Sequence, residues 1–384
     1  MRTLIKNGSV ILPSEIVSAS LLIEDGHILS LGTNAAIADE VIDAAGYYVA
    51  PGFVDIHLHG GGGHDFMEAT PEAFKTITEY HLSHGSTSLV PTAVSASLFD
   101  QKAFLSAYQK ASESSLIRVR LLGAHMEGPY LSETKKGAHD EHLLKNPDPN
   151  EYQTLIAAFP FIKRWTIACE LPGALIMGDY LSNHGINASI GHSNAFGRQI
   201  TDAMKHGFNS VTHLYNATSN AEEFEGKKAA GIVETALIEN DLFVEIIGDL
   251  QHVPAEMIML AYKNKTSEKM ILVSDCLSPA GMPKGTFHLG NASGFQVDVG
   301  EAVYLAGSKK LAGSIASGDI LLRNAINIGI PITEAVKMLT LTPAKLLGYD
   351  KMIGSLECGK AADIIIFDND IDIKHIFCKG KRIG

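Results

Sequence analysis

The chain has 384 residues, 46% hydrophobic and 19% charged, which supplies a large core and excludes an intrinsically disordered chain. Asp and Glu outnumber Lys and Arg by 43 to 31, and the net charge of −12 argues against nucleic acid as the main partner while leaving room for a local basic pocket. Four cysteines stand apart at 169, 276, 358 and 378, so neither a disulfide framework nor a Cys-based zinc module is expected, and a reducing cytoplasmic setting fits. The opening MRTLIKNGSV has no apolar h-region, and no run of about 18 apolar residues occurs, so neither a signal peptide nor a membrane partner is expected.

In chain order, the first fifty residues read as short strands, TLIKNGSVI, SLLIEDGHILSLG and EVIDAAGYYVA, with turn signals at Asn7-Gly8 and Asp25-Gly26. From Pro51 the texture changes to near-continuous apolar runs, as a parallel sheet covered on both faces requires. Eight such runs occur: FVDIHLH (53–59), TSLVPT (87–92), VRLLGAHME (119–127), RWTIACE (164–170), INASIGH (186–192), NSVTHLYN (209–216), LFVEIIG (242–248) and MILVSDC (270–276). Helical stretches separate most of them, for example 71–85 and 99–114. The pattern predicts an α/β chain with a TIM-type (β/α)8 barrel, a doubly wound open sheet being the rival. Residues 318–329 and 333–348 read as helices, and the tail returns to strand texture in GSLECGKAADIIIFDND and IKHIFCKGKRI. The expected organisation is a small β-sandwich from 1–50 and 346–384 beside a catalytic barrel at 51–345.

The polar residues of interest close these apolar runs. His57 and His59 lie two apart on a strand, so both imidazoles reach one side, where they can share a metal. Glu127 ends the third run before Gly-Pro; His192, His213 and Asp275 end the fifth, sixth and eighth. Each alone is more often a satisfied polar residue, and His125 and His64 fit core or bystander roles as well as any other. Together they fall at the carboxyl ends of predicted strands, where a (β/α)8 barrel builds its sites. Imidazoles and carboxylates suit a divalent metal, zinc first, with iron, manganese or cobalt as alternatives.

The ordered set HLH, HMEGPY, KKGAH, GHSNA, THLYNAT, VSD and LAGS, with the closing GSLECGKAADIIIFD, resembles the N-acetylglucosamine-6-phosphate deacetylase family of the amidohydrolase superfamily. The match spans nearly the whole chain. The resemblance implies metal-dependent hydrolysis of the acetamide of N-acetylglucosamine 6-phosphate, with one or two ions per subunit and Glu127 where many amidohydrolases carry a bridging carboxylated lysine. It implies that Asp275 passes a proton from the attacking water to the leaving amine, acts as a metal ligand, or does both. It marks His139, Asn216, Ala217, His252, Leu311 and Gly313 as substrate contacts, and it implies a homodimer.

The family usually places a phosphate-contacting Arg after the Asn-Ala motif. Here the stretch reads NAEEFEGKKAAGIVE, and Lys228 stands where Arg is expected, with Lys227 beside it and Glu222, Glu223 and Glu225 nearby. Lysine binds phosphate as a point charge without the bidentate fork. The distal group of the sugar therefore stays open between 6-phosphorylated N-acetylglucosamine, its galactosamine analogue and an unphosphorylated sugar. Other amidohydrolases, such as an N-acyl-amino-acid deacylase or a cyclic-amide hydrolase, share the metal ring but are expected to lack the HMEGPY–KKGAH pairing. A non-catalytic relative is expected to have lost metal ligands, and none is lost here.

Overall fold

The structure, a computed structural model, describes residues 1–32, 37–224, 226–288 and 296–383. Its centre is a parallel barrel whose strands are Phe53–Leu58, Ser86–Ala93, the pair Arg120–Leu121 and Ala124–Glu127, Ile162–Ile167, Asn187–Ile190, Phe208–Val211, Phe243–Ile247 and Met270–Val273. Each pairs with its neighbour in parallel. A parallel bridge from Leu58 to Cys276 closes the ring, with the Asp275 amide donating to the His57 carbonyl at 2.9 Å. All eight predicted runs become barrel strands because their side chains are covered on both faces, by the barrel interior and by the outer helices. The helices start where short polar residues cap them: Thr70 accepts the Ala73 amide ahead of Pro71–Ser83, and Ser97 accepts the Asp100 amide ahead of Leu98–Glu113.

Both termini build one eight-stranded sheet. Ile364–Phe367 runs antiparallel to Tyr48–Pro51, which runs parallel to Arg2–Ile11, so the chain's two ends share a core of Ile5, Val10, Val49, Ile364 and Ile366. The following segment, 51–53, enters the first barrel strand directly, which places His57 and His59 at a fixed distance from this sheet.

Local departures from the expected elements have physical causes. Asp25-Gly26 makes the hairpin turn, with φ of 48° and 84°. Asn7-Gly8 does not turn the chain. It forms a bulge inside Arg2–Ile11, where Ile5 faces Leu21 and Gly8 faces Ala19, three steps against two, with Asn7 at φ 61°. The third barrel strand is interrupted at Gly123, whose φ of 133° bends the backbone. The single helix expected over 333–348 is two, Ile332–Leu339 and Leu341–Leu346, because Pro343 has no amide to offer the Leu339 carbonyl. Among the described residues of the tail, strand structure is confined to Ile364–Phe367, Ile373–Cys378 and Lys381–Ile383.

Candidate metal centre and active site

His57 and Glu127 are the last or next-to-last residues of their strands, and His59 directly follows the first. His192, His213 and Asp275 each sit two residues beyond a strand end, at φ of 47°, 30° and 47°. Three non-glycine residues in the left-handed region, at about 1–3 kcal/mol each, form a repeated device that turns the chain so the side chain faces the barrel axis. Gly313 presses against this turn: a Cβ there would lie 2.9 Å from the Asp275 carbonyl.

Four imidazoles converge on one buried carboxylate, and Asp275 joins two of them. Glu127 Oε1 lies 3.0 Å from His213 Nε2, 3.2 Å from His192 Nε2 and 3.6 Å from His57 Nε2. Its Oε2 lies 3.3 Å from His59 Nε2, and Asp275 Oδ1 lies 3.2 Å from His59 Nε2 and 3.6 Å from His57 Nε2. The outer ring nitrogens decide what faces inward. His192 Nδ1 donates to the Lys135 carbonyl at 2.8 Å, and His57 Nδ1 donates to Glu245 at 3.3 Å. In the neutral rings, both Nε2 atoms then direct lone pairs at a carboxylate. Among the described residues His57 Nε2 has no hydrogen-bond partner although it is fully buried. Such an arrangement is repulsive unless a cation stands between the groups, so the donor set fits a divalent metal.

The electrostatics agree. Burial alone would push His57 and His59 down, but Glu127 and Asp275 take His57 up to about 9 and His59 well above its ordinary value. Burial would raise the carboxyls, yet His57 holds Glu127 well below the usual range and, with His59, takes Asp275 down to about 2. These anions demand positive charge, and a metal ion would replace the protons the imidazoles would otherwise take up.

His139 is different. Its Nδ1 accepts the Ser95 amide at 3.2 Å, so in the neutral ring the hydrogen is on Nε2, which points at Glu127 Oε2 from 3.5 Å. Burial, with His192 beside it, lowers it to about 4, so it stays neutral. A neutral Nε2–H is a donor for a carbonyl oxygen and is not a metal ligand.

Above the ring lies a cavity of about 370 Å³, lined by His59, Glu127, His139, His192, His213, Asn216, Ala217, His252, Asp275, Leu311 and Gly313 among others. His57 lies beneath it, fully buried. His252 is gripped by Asp249 at 2.7 Å; burial alone would lower it, but that carboxylate raises it above the ordinary histidine value. Lys228 does not line the cavity of its own chain. It is exposed in a hairpin, Glu222–Phe224 with Lys227–Ala229, opposite Glu223. Glu225 lies outside the described residues. His125 takes a core role, between Thr92 Oγ1 at 3.1 Å and Thr166 Oγ1 at 2.8 Å, and His64 pairs with Glu68 at 2.9 Å.

Three residues were not legible as site residues. Glu245 and Arg164 lie fully buried below the ring, and the only mark they leave is a charge inside an apolar run. Lys310 lines the cavity beside Leu311, has an exposed side chain and makes no ion pair among the described residues. Its signal was weak, a cation next to LAGS.

The chain belongs to the amidohydrolase family, whose profile, "Amidohydrolase family", matches residues 48–383. It is 33% identical to an N-acetylglucosamine-6-phosphate deacetylase of Vibrio furnissii, covering 87% of this chain and 82% of that one. It is 30% identical to an N-acetylgalactosamine-6-phosphate deacetylase of Escherichia coli, covering 94% and 93%. A solved N-acetylglucosamine-6-phosphate deacetylase of Mycobacterium smegmatis, in complex with that sugar phosphate, superposes with a TM-score of 0.91 at 30% identity over 99% of both chains. Within the superfamily, the group these relatives mark out is the N-acetylglucosamine-6-phosphate deacetylase family. No helix among the described residues is long and apolar enough to cross a membrane.

Proposed function

We propose that this enzyme hydrolyses the acetamide of N-acetylglucosamine 6-phosphate, giving glucosamine 6-phosphate and acetate. The observation that carries the reading is the convergence, in one cavity, of inward imidazole lone pairs, a proton acceptor and a neutral imidazole donor. A bound divalent metal supplies Lewis-acid polarisation and lowers the pKa of a bound water toward neutrality. His57, His59, Glu127, His192 and His213 would hold it. Two ions per subunit, zinc first, fit best, because Glu127 Oε1 faces His192 and His213 while Oε2 faces His59, which also faces Asp275, and His57 stands between the two positions, 3.6 Å from both Glu127 Oε1 and Asp275 Oδ1.

Asp275 takes the proton of the attacking water and returns it to the leaving nitrogen, one carboxylate serving both steps. His139 donates its Nε2–H to the acetamide oxygen as negative charge develops there. Asn216 and Ala217 hold the sugar, and Leu311 and Gly313 shape the acetyl side of the cavity. His252, whose protonated form Asp249 favours, and Lys310 are this chain's own contacts to the 6-phosphate. The exposed Lys228 hairpin supports a contact made across a homodimer interface. The likeness to the Escherichia coli galactosamine enzyme keeps N-acetylgalactosamine 6-phosphate as a second substrate. The catalytic barrel at 51–345 works beside the β domain of 1–50 and 346–384, in the cytoplasm, which four unpaired cysteines favour.

The test is acetate release from a panel of N-acetylated hexosamines, their 6-phosphates and N-acetyl amino acids, with metal counted in the same preparation. Fastest turnover of a 6-phosphorylated N-acetylhexosamine is expected. Turnover confined to acyl amino acids, or a metal-free active enzyme, would overturn the reading.

A further inference from the structure

Below the metal ring, one ion pair crosses the barrel interior, and the chemistry above makes no use of it. Glu245, on the seventh barrel strand, and Arg164, on the fourth, are both fully buried. Their side chains are in direct contact. The guanidinium also reaches Asn187 Oδ1 at 3.1 Å, Ser189 Oγ at 2.9 Å, Thr212 Oγ1 at 3.1 Å and the Ile56 carbonyl at 3.4 Å. Replacing a buried ion pair with apolar residues is often neutral or stabilising, so stability alone does not account for this one.

Its geometry supplies a reason. Glu245 Oε2 accepts His57 Nδ1–H at 3.3 Å. With that proton fixed, His57 Nε2 presents its lone pair to the space shared with Glu127 and Asp275, 3.6 Å from each. On the far side of the ring, His192 sends its Nδ1 proton to a backbone carbonyl, independently of Glu245. His213 meets Oε2 only through its backbone amide, at 3.5 Å, and the Leu214 amide holds the Glu245 carbonyl at 2.7 Å whatever the side chain.

We propose that Glu245 is a positioning residue for one half of the metal centre, acting through His57, with Arg164 as its counter-ion. Its removal weakens the position built by His57, His59 and Asp275 and spares the one built by His192, His213 and Glu127. The inference rests on the two-ion reading above.

The experiment compares wild type with Glu245→Gln and with the charge-balanced double variant Glu245→Gln, Arg164→Met. Metal is counted by elemental analysis, each ion's affinity is measured by chelator competition, and folding is followed by thermal melting. One ion is expected to stay at wild-type affinity in both variants while the other weakens roughly 10–100-fold, the usual cost of losing a carboxylate behind a ligating histidine. Should the single variant not fold, the double, which buries no unpaired charge, decides. Two ions at unchanged affinity in the variants would overturn the proposal. So would equal weakening of both ions, or full recovery in the double, which would assign the pair to charge balance alone. A wild type holding one ion overturns the two-ion reading and this proposal with it; a wild type that deacetylates the sugar phosphate with two ions, but whose variants keep both, overturns this proposal alone.

Discussion

The floor and the outer wall of the cavity are built in opposite ways. On the floor every donor is buried and placed at or within two residues of a barrel strand end; His57 and His192 are oriented by a second hydrogen bond, and His192, His213 and Asp275 by a left-handed turn. On the wall, Lys310 is held through its backbone, which donates to Ser308 and accepts from Leu305, and its ammonium is exposed. Lys228 is further out again. Closing the ring fixes the floor to within the tolerance of packed strands, whereas the wall consists of loops that can change residues without disturbing the barrel. We therefore assign the hydrolytic chemistry to the floor and propose that the wall chooses the distal substituent.

The contrast yields graded expectations. The largest is at the floor: His192→Ala with His213→Ala should abolish turnover and release metal, and tight stoichiometric metal in that double variant would break the assignment. Next, Asp275→Asn keeps the shape but cannot accept a proton, so metal and sugar binding should persist while kcat falls roughly 10²–10⁴-fold; near-normal turnover would move the role elsewhere. At the wall, Lys310→Ala should raise KM for the 6-phosphorylated sugar about tenfold, the loss expected from one charge-assisted contact, and leave the unphosphorylated sugar unchanged. An equal effect on both sugars would erase the distinction between floor and wall.

A pH dependence should follow the wall as well. Asp249 raises His252, so its charge is present below the raised pKa and lost as pH climbs through it. KM for the phosphorylated sugar should then rise with pH in the neutral to mildly alkaline range, and His252→Asn should flatten that rise. A rise of the same size for the unphosphorylated sugar would point to the metal centre instead. The smallest effect is expected from Lys228→Ala, about tenfold or less in KM, and only in the dimer; kinetics in diluted and concentrated enzyme, each read against oligomeric state, check it.

The sequence by itself determined the barrel and the polar residues that close its strands. These signals are local: an apolar run reports burial on both faces, and HxH on a strand places two rings on one side regardless of the remaining fold. The Asp25-Gly26 turn was legible for the same reason, while Asn7-Gly8 was misread because a bulge and a hairpin turn ask for the same left-handed residue and differ only in what pairs across the strand. What the tertiary structure alone decided are the relations between distant strands. Glu245 and Arg164 stand 81 positions apart, Glu245 the single charge of its apolar run and Arg164 at the opening of its own, and nothing nearby in the chain names the other as its partner. Only closure of the ring sets one carboxylate against both that guanidinium and His57. Lys228 stood out in the sequence and Lys310 did not, yet only the path of the loops puts Lys310 in the cavity and Lys228 outside it, because where a loop ends depends on what it packs against rather than on its own residues.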